Sequence, residues 1–213
     1  MASSAIHSTE DNRHFNRFHH PQKNVDWVKV LPGGIYCTNR QEIICTGLGS
    51  CVAACIWDPE AKVGGMNHFL LPFDNYSQID HWKPDEVAST ASRYGCYAME
   101  LLINQLIKMG ADRQRLRVKL FGGAQMLGLK IMIGQKNIDF ITSYAKQEQL
   151  IVTAKDLGGS EPRKVMFDPL TGRAWLKRIP FSDAILLSNQ EKRYATQLER
   201  ETHNKQNDAE LFE

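Results

Sequence analysis

Apolar and polar positions change period along the chain, and each change marks an element. Val25–Val30 (VDWVKV) reads as a short strand turned by LPGG. Further strands are predicted at Glu42–Cys45, Cys51–Trp57, Gly64–Leu71, Leu116–Phe121, Leu150–Ala154, Lys164–Phe167 and Arg173–Lys177. Each is short and bounded by Gly, Pro or Asp. Two stretches switch to helical spacing. The first runs from about Val87 to Met109, with Tyr94, Tyr97, Ala98, Leu101, Leu102 and Leu106 in phase and Gly110 as its stop. The second opens at Asn137, a plausible N-cap, with Ile138, Phe140, Ile141, Tyr144 and Ala145 on its apolar face. Clustered strands outnumbering helices predict an α+β fold or a layered sandwich, not a doubly wound sheet. Residues 1–25 lack periodicity and are predicted to be a polar tail. Residues 189–213 are charged and amide-rich, and read as a solvated helix or a frayed tail, leaving 26–188 as the domain.

Composition adds limits more than content. Hydrophobic residues at 42% and charged ones at 23% over 213 residues exclude global disorder. A formal charge of +2 is too balanced for electrostatic capture of nucleic acid or an anionic membrane. No apolar run approaches the roughly 18–20 residues that span a bilayer, and the N-terminus lacks the apolar stretch of a secretory signal. A soluble, cytoplasmic protein is expected. Five cysteines, Cys37, Cys45, Cys51, Cys55 and Cys96, are an odd set in a chain too long for a small disulfide scaffold, so reduced thiols are expected. His7, His14, His19 and His20 lack an accompanying Cys or carboxylate framework, and a tail is favoured over a metal site.

Chemistry concentrates in CTGLGSCVAACIWDPEAKVGGMNHFLLP. Gly47 and Gly49 allow a tight turn into Ser50 and Cys51, bringing backbone N–H groups near the thiol. Such donors can hold an oxyanion. His68 follows a second glycine turn and can lie beside Cys51 if the intervening segment joins neighbouring strands. A histidine raises the thiolate fraction of a cysteine and then protonates a leaving group. Two other readings stay open on the residues alone: a turn into a buried strand with a core histidine, and a zinc site from Cys45, Cys51, Cys55 and His68. Trp57-Asp58-Pro59 and Phe167-Asp168-Pro169 read as turn initiators. Phe121-Gly122-Gly123-Ala124 and Leu157-Gly158-Gly159 read as tight turns at the mouth of the site, and Arg163-Lys164 as a solvated pair.

GLGSCVAACIWDP followed by GGMNHFLLP resembles the CheD family, the chemoreceptor glutamine deamidases of bacterial chemotaxis. RYGCYAMELLINQLIKMGA, KLFGGAQM, IGQKNIDF and DLGGSEPRKVMFDPLTGR continue the likeness in order, from about Val25 to Lys177. The resemblance implies a β-sandwich flanked by helices, layered α/β/β/α and similar to cytotoxic-necrotizing-factor-like cysteine hydrolases. It implies Cys51 as nucleophile and His68 as general acid/base, with no metal or organic cofactor. Gly49 and Ser50 would shape the oxyanion turn. It further implies a Thr orienting the His, six residues before the nucleophile. Cys45 holds that place, and Thr46 stands five before. A one-residue offset in a strand changes the face, so either the turn is bulged and Thr46 serves, or the orienting acceptor is a backbone carbonyl or another side chain. Methyl-accepting receptor helices are the implied substrate, with a methylesterase side reaction through the same thioester. A CheC-type phosphatase is an implied partner, and the Cys45 departure leaves room for a regulatory binding module with a weakened site. Neither nucleic-acid binding nor membrane insertion is implied.

Overall fold

Ten strands and three helices follow one another along the described part of the computed structural model, residues 15–21, 24–71, 90–125, 133–180 and 184–209. In chain order they are β1 (Phe15–His20), β2 (Val25–Val30), β3 (Ile35–Thr38), β4 (Glu42–Leu48), β5 (Val52–Asp58), β6 (Val63–Asn67), α1 (Thr90–Lys108), β7 (Arg117–Gly122), α2 (Ile133–Gln147), β8 (Ile151–Leu157), β9 (Arg163–Phe167), β10 (Ala174–Arg178) and α3 (Ala184–Ala209). All eight strands expected from the pattern are present, with ends shifted by a few residues. His7, His14, Pro72 and residues 87–89 lie outside the described residues.

The strands form two five-stranded mixed sheets, ordered β1-β2-β4-β9-β10 and β3-β6-β5-β7-β8. Strand β5 shows why they layer. Every residue of VAACIWD is buried, and alternation sends the side chains to opposite faces. Val52, Ala54 and Ile56 join Met99, Leu102, Ile103 and Leu106 of α1 and Phe140 and Ile141 of α2 in one core. Ala53, Cys55 and Trp57 join Ile44, Leu48, Val165 and Phe167 of the other sheet in a second. The fold is therefore an α+β sandwich, with α1 and α2 on the outer face of one sheet. Asp58 and Asp168 do open turns, accepting from the backbone N–H of Glu60 and Ala61 and of Leu170 and Thr171.

Four sequence expectations are revised. Part of the expected N-terminal tail is strand β1, which pairs antiparallel with all six residues of β2. Its ladder partner supplies what its own polar sequence does not. The region 189–213 belongs in part to α3, which is not solvated all round, since Glu191 and Leu198 are buried. Asn137 is no N-cap: α2 begins at Ile133, and Asn137 is fully buried within it. Arg163 is also buried. It clamps the β8–β9 turn by donating to the Asp156 side chain and to the carbonyls of Asp156 and Gly158.

Candidate active site

Cys51 leaves the short turn that links β4 of one sheet to β5 of the other, and its side chain falls in the layer between the sheets. The turn is braced from behind. Gly123 N–H donates to the Cys51 carbonyl at 2.8 Å, and Ala124 N–H to the Gly49 carbonyl at 2.7 Å. Asn137 Nδ2 donates to the Ser50 carbonyl at 2.9 Å, while its Oδ1 accepts from Leu71 N–H at 2.9 Å. Gly122 has φ +117°, and a Cβ there would sit 2.1 Å from the Cys51 carbonyl oxygen. Only glycine fits so close to the Cys51 backbone. The FGGA turn is thus the back wall of the site, and α2 reaches it through one buried amide.

His68 arrives from the neighbouring strand, as the hairpin reading required. β5 and β6 pair antiparallel, and the bridge between Val52 and Phe69 carries the pairing past the end of β6. A ring nitrogen of His68 and the Cys51 Sγ lie within 4.8 Å of each other. The ring also meets Thr46 Oγ1, 2.8 Å from His68 Nδ1. Thr46 donates its own hydroxyl proton to the Val30 carbonyl at 2.8 Å. A hydroxyl whose proton is so committed must accept at Nδ1, so Nδ1 carries the ring proton and Nε2 presents a lone pair. Nε2 is buried and has no partner in the structure.

Thr46 needs no bulge. Ile44 and Leu48 of β4 point into the inter-sheet layer, and Thr46 shares their face by the two-residue period. Cys45 faces the opposite way, near Lys29 and Lys164. The offset that gave ground for a weakened site is absorbed by strand phase. The same phase breaks up the quartet proposed for zinc, because Cys45 cannot reach the layer that holds Cys51 and His68. All five cysteines are free.

Two residues at the site were not anticipated. Asn137 is one, and Glu191 of α3 is the other. Glu191 Oε1 accepts from Gly49 N–H at 2.7 Å and Cys51 N–H at 3.3 Å. Its Oε2 accepts from Ser50 N–H at 2.9 Å and Ser50 Oγ at 2.8 Å. Three successive N–H groups therefore converge on one carboxylate, a concavity suited to negative oxygen. Cys51 Sγ, a His68 ring nitrogen and a Glu191 oxygen lie mutually within 4.8 Å, the one such trio among the described residues. Their setting favours an anion over a cation, since the N–H dipoles point their positive ends at the same spot.

Burial governs protonation here. Cys51 is wholly buried; desolvation first, then the Glu191 carboxylate, push its thiol well above the usual cysteine range. Burial pushes His68 down to about 3. As folded, the pair is a neutral thiol beside a neutral imidazole, and the carboxylate disfavours ionisation of the thiol.

The sequence matches the CheD family profile, described as CheD chemotactic sensory transduction, over residues 71–178. It is 59% identical over 202 residues, 95% of this chain and 94% of the relative, to a probable chemoreceptor glutamine deamidase CheD of Vibrio vulnificus strain CMCP6. A protein of the same name from Vibrio cholerae strain M66-2 is 55% identical over 199 residues, covering 93% of this chain and 84% of that one. One from Halorhodospira halophila is 47% identical over 166 residues, 78% and 76% of the two chains.

Proposed function

Because the chain belongs to the CheD family, we propose that it is a cysteine-dependent protein-glutamine deamidase that converts Gln side chains of methyl-accepting chemoreceptors to Glu. The observation that carries the chemistry is the Thr46-fixed tautomer of His68, whose Nε2 is left without a partner, in a ring with one nitrogen within 4.8 Å of the Cys51 Sγ and next to three converging backbone N–H donors.

Cys51 gives its proton to His68 Nε2 and attacks the carboxamide carbon. The N–H groups of Gly49, Ser50 and Cys51 receive the developing oxyanion, where one such donor is worth about 3 kcal/mol. His68, now charged and steadied at Nδ1 by Thr46, passes its proton to the leaving nitrogen, and ammonia departs. Water, deprotonated by neutral His68, then adds to the thioester. The C–S bond breaks, the thiol is restored and a Glu side chain leaves. A γ-carboxyl methyl ester would pass through the same thioester and release methanol. No metal or organic cofactor enters these steps. Within the described residues no helix is long and apolar enough to cross a membrane, and we place the reaction in the cytoplasm, on the receptors' helical segments.

The test is receptor peptide incubated with wild type and with Cys51→Ala, followed by mass spectrometry. Wild type should add about 1 Da per converted Gln and the variant none. Equal conversion by both would remove Cys51 from the mechanism.

A further inference from the structure

The oxyanion nest already holds a glutamate side chain, and glutamate is what the proposed reaction makes. Glu191 offers both carboxylate oxygens to the N–H groups of Gly49, Ser50 and Cys51, against the thiol and His68. It does so from a helix. Around it, Leu187, Tyr194, Ala195 and Leu198 recur at helical spacing on one face. Leu187 abuts Gly47, where a Cβ would come within 2.9 Å of its Cδ1. Tyr194 meets Gly33 and pairs its hydroxyl with that of Tyr94, and Leu198 is buried in the inter-sheet core. The outer side of the helix, including Lys192, Arg193 and Gln197, is exposed. An acid in the middle of an apolar face costs stability unless donors await it, and here four do.

Building on the deamidase reading, we propose that α3 lies in the substrate's own seat. Glu191 stands where the product glutamate stands, and the free chain is a product-like complex closed by its own C-terminal helix. The seat then takes a helical segment that presents Gln at the place of Glu191, with apolar side chains one turn before and one and two turns after it. Receptor segments must displace α3, and the closed form protects the thiol from solvent and from oxidation.

A substitution tests this directly. Glu191→Gln places a carboxamide over Cys51, and the chain becomes its own substrate. Cys51 Sγ bonds to the amide carbon, ammonia leaves with the proton relayed by His68, and water cleaves the thioester. Net, one water is consumed, one ammonia is released and Glu191 is restored. Peptide mapping of E191Q should find Glu at position 191, formed at a rate independent of protein concentration. The same chain carrying Cys51→Ala should keep its introduced glutamine. In parallel, Glu191→Ala should speed iodoacetamide labelling of Cys51 by at least about tenfold and raise turnover of receptor peptide. An E191Q chain that keeps its glutamine while still deamidating receptor peptide would overturn the inference and leave the enzyme reading standing. Labelling of Cys51 unchanged by Glu191→Ala would do the same. Conversion of the introduced glutamine with no receptor peptide converted by any variant would support the seat and overturn the receptor as substrate. Thermal melting of each variant distinguishes an opened helix, which leaves the main transition in place, from a chain that fails to fold.

Discussion

The two sides of the reactive centre are built in different ways. On the inner side, the Gly49–Cys51 turn is fixed by bonds that do not depend on what occupies the site: Gly123 and Ala124 from the FGGA turn, Asn137 from α2, and two strands from separate sheets. On the outer side, α3 attaches through one face and a single carboxylate. The inner donors are preorganised whether the ligand is internal or external, so they cannot favour the substrate over the lid. Selection between them falls to α3, whose docking competes intramolecularly with any incoming helix. A rigid cradle under a detachable cover separates the chemistry from its control.

The largest effect should come from the cradle. Cys51→Ala is expected to lower receptor-peptide deamidation by at least about a thousandfold. The N–H donors to Glu191 are backbone groups, so α3 should stay docked, and unchanged protection of its amides in hydrogen exchange would show that activity and closure separate. A loosened α3 in this variant would break the comparison. Next comes the support behind the histidine. Thr46→Val removes the acceptor at Nδ1 and frees the other tautomer, which should lower kcat about 10- to 100-fold with KM little changed. Thr46→Ser should recover most of it. If both variants behave alike, Thr46 acts through packing instead of through its hydroxyl.

Acidity tests the same pair without mutation. His68 is held near 3 by burial, against 6.5 in an exposed chain, so between those values the unfolded state binds the extra proton. Stability should therefore be level above about 6.5 and fall as pH drops toward 3, by several kcal/mol in all. The raised thiol of Cys51 acts in the opposite sense, and stability should fall again at alkaline pH, as thiols ionise in the unfolded chain. Urea melts across pH will read both limbs, and His68→Gln should flatten the acid one. Asn137→Ala should follow, with a loss of about 2–3 kcal/mol, because Ser50 O and Leu71 N–H are left buried without partners. That corresponds to a melting temperature lower by about 5–10 °C.

Short strands bounded by turn residues were legible in the sequence, and so was the GLGSC turn, whereas its pairing with His68 hung on whether the intervening segment joins neighbouring strands, which only the β5–β6 ladder supplies. Strand β1 was not, since FNRFHH has no clean alternation and stands as an edge strand through pairing with β2. Asn137 looked like a cap because a cap is the local use of asparagine; its true partners, Ser50 and Leu71, are distant in sequence. Glu191 was lost among the charges of 189–213. A signal was present: Leu187, Glu191, Tyr194 and Leu198 share one helical face, and an acid set in such a face calls for a partner.

The smallest effect expected is also the one that turns on a single residue of strand phase. Cys45 occupies the place where the family likeness puts its orienting threonine, and sequence position alone would make Cys45 matter more than Thr46. Strand β4 argues otherwise. Its partners in β2 and β9 run in continuous register through Cys45, so no extra residue shifts the alternation. Ile44, Thr46 and Leu48 then share the face of the cradle, and Cys45 looks away toward Lys29 and Lys164. Cys45→Ala trims a small buried group at some distance from the chemistry, and activity should stay within about threefold of wild type with about 1 kcal/mol lost in stability. A double variant, Cys45→Thr with Thr46→Ala, sharpens the point. It restores the spacing of the likeness but places the hydroxyl on the outer face, so it should remain as impaired as Thr46→Ala alone. Recovery of activity would mean that β4 can shift register by one residue, and that the inner wall is less fixed than the cover it carries.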